Sequence, residues 1–271
     1  MTPYPDVNAV LHDFLTNVQA VLGDHFLGMY LSGSLALGDF SPDSSDIDFV
    51  VVTDAELPDD LLPALQAIHA RFNASGSPWA TEVEAVYIPR DALRRYDTAH
   101  ARHPHIERGA NEMLDMDQLD TAWILQRHIL REHGAVVAGP APRTLIDPVQ
   151  PQDMRRAAAA QMRGWWGTML HDPAPLHRTE LGYQAYAVLT MCRMLYTLDT
   201  GSVASKPVAA RWAQRALGRQ WTTLIERALA WRKSRTRGGD QGTSDADVAE
   251  TLALIDYTLG RCQQFRPFAD D

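Results

Sequence analysis

Cysteine is scarce in this chain: Cys192 and Cys262 are the only two among 271 residues, with no paired spacing and no histidine pattern around them. That excludes a disulfide framework or a zinc ribbon and leaves each thiol as a small buried hydrophobe in a helical stretch. Long apolar runs are missing too. A bilayer span needs about 20 consecutive apolar residues, and no segment approaches that. Met1 to Asp6 hold no basic stretch leading into an apolar core, so no secretory leader is expected and the chain is expected to be cytoplasmic. Positive charge is the third shortage: 25 Lys and Arg against 34 Asp and Glu give a net charge of -9. Proteins that grip nucleic-acid backbones carry a basic face, so nucleic acid is not the expected partner, and neither is a membrane. An acidic balance suits a small cationic ligand better. No internal repeat occurs, and a monomer is expected.

What is present is ordinary globular material, 45% hydrophobic and 22% charged, enough for one large or two medium domains with cores of their own. Val7, Val10, Leu11, Leu15, Val18, Val21 and Leu22 recur with a helical period closed by Gly23. Strands are predicted over 26–32, 46–53 and 81–88, the second rich in β-branched and aromatic residues (Ile47, Phe49, Val50, Val51, Val52). Helices are predicted over 58–72 and 119–133, and a short strand over 135–138. Pro140, Pro142, Pro148 and Pro151 cluster with Gly139, which places a domain boundary near 150. Residues 1–150 are expected to form an α/β domain (α+β by class) with a small mixed sheet. Residues 151–271 are expected to form an all-α bundle that closes over it. Its helices are predicted over 153–170, 180–198 and from Ser205, where Pro207 suits a first helical turn. A polar loop is expected at 235–244 and a last helix over 245–264.

The chemistry concentrates between Leu31 and Phe49. Gly33 and Ser34 end a strand and open a helix, where free backbone N–H groups and a hydroxyl can meet a phosphate. A dozen residues on, Asp46 and Asp48 follow Ser45. Period two puts both carboxylates on one strand face, with Ile47 and Phe49 on the other. Two carboxylates roughly 7 Å apart along one strand repel unless a cation lies between them, and hard oxygen ligands beside a triphosphate are what magnesium requires. Glu82 and Glu84 offer further carboxylates from another strand, out of place in a core unless they bind something. Two Mg2+ ions roughly 3.5–4 Å apart would employ all four.

Gly33-Ser34 followed by Ser45-Asp46-Ile47-Asp48 resembles the signature of the DNA polymerase β-like nucleotidyltransferases. The similarity extends to the bacterial aminoglycoside 3″-adenylyltransferases, which modify streptomycin and spectinomycin. Their glutamate-bearing strand is echoed by Thr81-Glu82-Val83-Glu84. Further matches lie in Arg131-Glu132-His133, Gly139-Pro140, Asp147-Pro148-Val149, Val188 to Tyr196, Thr200-Gly201, Lys206 and Ala210 to Ala213. The resemblance spans roughly residues 25–235. It implies a Mg2+-dependent transfer of AMP from ATP to a hydroxyl of a small polar, cationic acceptor, such as spectinomycin or streptomycin, with release of pyrophosphate. Gly33, Ser34 and Ser45 would then meet the triphosphate, and Asp46, Asp48 and Glu82 would hold the metal. Glu82 stands at the position of the family's catalytic base, with Glu84 as its understudy. Arg193 and Lys206 match phosphate-gripping residues, Trp231 an aromatic bordering the nucleotide, and Asp120 an acidic nucleotide contact. Tyr183 and Gln184 stand where the family carries an acidic pair for the acceptor's amines; with Tyr186 and Glu84 they are expected to face the acceptor. The alternatives are a lincosamide-like acceptor, a protein hydroxyl, or a degenerate nucleotide-binding module.

Other conspicuous residues have structural defaults. His100, His103 and His105 are expected to be solvated in a loop with Pro104, since nothing completes a metal site. Trp165 and Trp166 are expected in packing, and Arg232, Lys233, Arg235 and Arg237 on a solvated face. Asp39 and Asp43 are expected to be loop residues.

Overall fold

A computed structural model of the chain describes residues 2–178, 181–234, 244–266 and 268. Of the loop expected at 235–244, residues 235–243 with Arg235 and Arg237 lie outside the described residues, as does the expected helix start at Glu180. The chain divides into two compact units, one of residues 1–40 and 45–148, the other of 149–271 with the short stretch 41–44.

The first unit opens with α1 (Pro5–Leu22), which buries Val7, Val10, Leu11, Phe14, Val18 and Leu22, the stripe its sequence period announces. Then come β1 (Phe26–Leu31), the four-residue α2 (Gly33–Ala36), β2 (Ile47–Thr53), α3 (Leu62–Asn73), β3 (Val83–Pro89) and α4 (Arg90–Arg94). β4 (Arg102–Ile106), β5 (Asp115–Gln118), α5 (Ala122–His133), β6 (Ala135–Ala138) and α6 (Pro142–Leu145) complete it. The mixed sheet has the order β5-β4-β3-β2-β1-β6. Only β2 and β3 run parallel, Ile47 beside Val83 through Thr53 beside Pro89, and α3 lies in the crossover that a parallel pair requires.

Residues of β2 and β3 alternate between two cores. Ile47, Phe49, Val51, Val83, Ala85 and Tyr87 join α1 and α3 in one cluster. Val50, Val52, Val86 and Ile88 join Leu93, Leu119, Leu130, Leu145 and Ile146 in the other. Burial on both faces explains the nearly continuous apolar runs of these strands.

Three expectations need correction here. The third strand starts at Val83 rather than Thr81, which leaves Glu82 in the approach to it. The helices expected from 58 and 119 begin at Leu62 and Ala122. The histidine loop is in fact strand β4, paired with β5: His103 is buried, and that burial lowers its pKa, while His105 Nδ1 lies 3.3 Å from Asp117. His100, exposed beside Asp97, is the one of the three that stays in solvent.

The second unit is helical: α7 (Pro151–Gln161), a π-turn at Met162–Trp166, α8 (Ala174–Arg178), α9 (Leu181–Thr200), α10 (Lys206–Ala216), α11 (Thr222–Ser234) and α12 (Asp245–Cys262). α9 is the central helix, burying Ala187, Val188, Leu189, Met191 and Cys192 completely. Both cysteines are free and buried, as their apolar surroundings suggest. The helix expected over 153–170 breaks at Gly164, whose ψ of -116° is not helical. The Arg163 guanidinium there donates to the Cys262 carbonyl at 2.7 Å and also to that of Phe265. Trp166 is buried, as expected of packing, but Trp165 is 60% exposed. No described helix is long and apolar enough to cross a membrane.

Candidate active site

The parallel register sets the site. Asp48 stands beside Glu84, and Ile47 N–H donates to the Glu82 carbonyl at 2.8 Å, so Asp48 of β2 and Asp46 just ahead of it each have a glutamate alongside. Oxygens of Asp46, Asp48 and Glu84 all lie within 4.8 Å of one another, the one such acidic or histidine group among the described residues. Adjacent strands are only about 4.8 Å apart, so these like charges meet face to face. Burial pushes the Glu84 carboxyl well above the usual range, helped by Asp48, Asp46 and Glu107 and opposed by Arg108.

Glu82 lies outside that converging trio. Its Oε2 is 3.7 Å from Arg108 Nη1, and the same nitrogen is 3.6 Å from Asp46 Oδ2. The third carboxylate of the cluster is thus Glu84's, where the ligand set was expected to take Glu82's. A period-two pattern puts both glutamates on the same face and cannot choose between them.

Gly33 and Ser34 close the site on the other side of β2. Ser32 N–H donates to the Asp48 carbonyl at 3.0 Å, extending the β1–β2 pairing to the turn. Gly33 has φ of +51°, and a Cβ there would fall 1.9 Å from Asp48 Oδ2, so both conformation and space require glycine. The Ser34 Oγ is buried without a partner. A buried orphan hydroxyl is costly unless a ligand completes it. Ser45 is buried just ahead of Asp46. Hard oxygen donors, like charges in contact and an orphan hydroxyl together fit a divalent cation and a phosphate.

Elsewhere in the first unit, the Asp120 carboxylate accepts from Ala122 N–H at 2.7 Å, just ahead of α5. In the second unit Arg193 lies on α9 and Trp231 on α11, the latter ring 5.6 Å from the Arg227 guanidinium. Lys206 begins α10 with its Nζ 5.2 Å over the Tyr186 ring. Tyr183 and Tyr186 are ring neighbours at 5.7 Å, and Tyr186 is 42% exposed. Gln184 is not: fully buried, it donates to the Leu176 carbonyl at 2.9 Å and accepts from the Thr251 hydroxyl at 2.7 Å. Both ends of its amide are spent inside the bundle, which corrects its expected contact with an acceptor. Arg108 escaped the sequence reading altogether. An arginine soon after a strand gives no signal until that strand is paired.

Comparison with known proteins agrees with both units. The family described as "Nucleotidyltransferase domain" matches residues 24–107, and "Aminoglycoside adenylyltransferase, C-terminal domain" matches residues 144–258. An aminoglycoside (3'') (9) adenylyltransferase of Shigella flexneri is 29% identical over 267 residues, covering 94% of each chain. A spectinomycin 9-adenylyltransferase of Staphylococcus aureus is 27% identical over 254 residues, covering 89% of each. A spectinomycin adenyltransferase from Enterococcus faecialis, solved with ATP and spectinomycin, shares the fold with a TM-score of 0.71. It is 17% identical, and the match covers 95% of this chain and 99% of that one.

Proposed function

We propose, from the premise that this chain is a nucleotidyltransferase similar to the aminoglycoside adenylyltransferases, that it transfers AMP from ATP to a hydroxyl of an aminoglycoside or aminocyclitol. The observation that carries the proposal is the convergence of Asp46, Asp48 and Glu84 within 4.8 Å, beside a glycine turn with an unpartnered buried serine hydroxyl.

Asp46, Asp48 and Glu84 would hold magnesium, which when bound supplies charge neutralisation for the triphosphate and the reacting oxygens. Ser34 Oγ donates to a phosphate oxygen, the partner its burial leaves open, and Ser45 supports the same group. Glu82 accepts the proton of the acceptor hydroxyl. That oxygen forms its bond to the α-phosphorus as the bond to the bridging oxygen breaks, and pyrophosphate leaves with the electron pair. Arg193 and Lys206 serve the phosphates and Trp231 borders the nucleotide, roles that rest on the family resemblance. The nucleotide contact of Asp120 rests on the same resemblance. On the acceptor side Tyr183 and Tyr186 offer ring faces and hydroxyls, so the acceptor is bound by stacking and hydrogen bonding more than by ion pairing.

The test is an acceptor panel of spectinomycin, streptomycin and a lincosamide incubated with Mg2+ and ATP labelled at the α-phosphorus. Label should appear on an aminocyclitol or aminoglycoside in step with pyrophosphate. Pyrophosphate release without labelled acceptor, or no release with any acceptor, rejects the proposal.

A further inference from the structure

Three carboxylates converge at the start of β2 and β3, a fourth, Glu82, lies just before β3, and one guanidinium touches Asp46 and Glu82. Arg108 Nη1 lies 3.6 Å from Asp46 Oδ2 and 3.7 Å from Glu82 Oε2, so a single nitrogen bridges two acids on neighbouring chain segments. Its backbone is fixed there. Gly109, the next residue, donates its N–H to the Thr81 carbonyl at 3.0 Å, tying the segment after β4 to the residue before Glu82. The side chain remains 35% exposed, so it can leave the acids for water without unpacking the core. Both contacts exceed the distance of a good charge-assisted hydrogen bond, about 2.7–2.9 Å. The guanidinium therefore neutralises the pair without locking onto it.

We propose that Arg108 is the placeholder cation of the metal-free site: its guanidinium occupies the charge gap between Asp46 and Glu82 and withdraws when a divalent ion binds. The inference rests on the nucleotidyltransferase reading of the site and adds a positioning residue to it. A placeholder makes metal loading competitive. Without nucleotide, a divalent ion must displace a cation that is already paired, and the acids stay together in its absence. Removing the guanidinium should therefore tighten binding of the bare metal and make the empty site less stable.

The test is calorimetric titration of nucleotide-free protein with Mn2+, using wild type, Arg108→Gln and Arg108→Lys. Charge removal a few ångströms from a divalent ion should tighten binding by about tenfold, while the lysine variant stays within about twofold of wild type. The metal-free Arg108→Gln protein should also melt lower than wild type, and Mn2+ should erase the difference. An arginine of merely structural importance would lower the melting point with no gain in Mn2+ affinity, and that result overturns the proposal. As a check on unmutated protein, the Arg108 Nε–H resonance, assigned against the lysine variant, should move toward its free-arginine position on adding Mg2+; an unmoved resonance at saturating Mg2+ also overturns it. Should wild type bind no Mn2+ at all, and Asp48→Asn change nothing, the metal reading of the site fails along with the placeholder. Binding by wild type with equal or weaker binding by Arg108→Gln removes the placeholder alone.

Discussion

One face of the β2–β3 pair carries opposite chemistry at its two ends. Toward the strand ends it presents Val50 and Val52 beside Val86 and Ile88, all buried in one apolar cluster. At the strand starts the same face presents Asp48 beside Glu84, with Asp46 and Glu82 just before them. The apolar end lowers the free energy of folding with every contact. The acidic end raises it, since like charges are forced together and a hydroxyl is left unpaired. A site that opposes folding is tolerated where the register is fixed by residues further along the strands. Local rules broken in one place and obeyed everywhere around it mark a functional site.

Substitutions at the two ends should separate activity from stability. The largest effect is expected for Asp48→Asn at the acidic end. Loss of several kcal/mol of metal-borne charge stabilisation should cut AMP transfer by at least about 10⁴-fold, while the melting point of the metal-free protein holds or rises; a lowered melting point would give Asp48 a structural role instead. Glu82→Gln comes next, slowing turnover by roughly 10²–10⁴-fold as expected for loss of a general base, with ATP binding kept. Turnover within threefold of wild type would move the base to Glu84. At the apolar end Ile88→Ala should cost about 2–5 kcal/mol in denaturant unfolding and leave turnover per folded molecule nearly intact, the reverse of the first two.

Glu84→Gln gives a smaller, pH-dependent signal. A folded-state pKa raised above that of the unfolded chain means a contribution to stability present below the ordinary glutamate pKa and lost as pH rises through the raised value. In EDTA, the stability of Glu84→Gln relative to wild type should therefore increase from acid to neutral pH and beyond. A constant difference would show that Glu84 titrates normally. Smallest is Ser34→Ala. Deleting a buried orphan hydroxyl should stabilise the metal-free protein by roughly 1 kcal/mol and weaken ATP binding; destabilisation would mean that the hydroxyl is satisfied within the fold.

The apolar end was legible because its period and composition are local. The runs at 47–53 and 83–89 are β-branched and aromatic, and the stripe of α1 repeats with a helical period. Gly33, Ser34, Asp46 and Asp48 were legible because short spacing encodes their neighbourhood. What escaped depends on distant pairing. β4, with Arg102, His103, Pro104 and His105, and β5, with Asp115 and Asp117, look like loops, since proline and charged residues weaken any strand signal. β4 is a strand because β3 offers it an edge, and β5 because β4 does. Arg108 reaches the acids only through that pairing. The choice of Glu84 over Glu82 as third carboxylate depends on where β3 begins, and Gln184 is withdrawn from solvent by Thr251, which is 67 residues away in sequence. The kink at Gly164 had no signal beyond the glycine itself, in a run otherwise suited to helix.

Diffraction from crystals soaked in MnCl2 with a non-hydrolysable ATP analogue, recorded at the manganese absorption edge, would locate the ion among these carboxylates. An anomalous peak within coordination distance of Asp46, Asp48 and Glu84, with the guanidinium of Arg108 drawn away from Asp46, is the result expected. Manganese bound elsewhere, with these carboxylates still facing Arg108 and no ion between them, would contradict it.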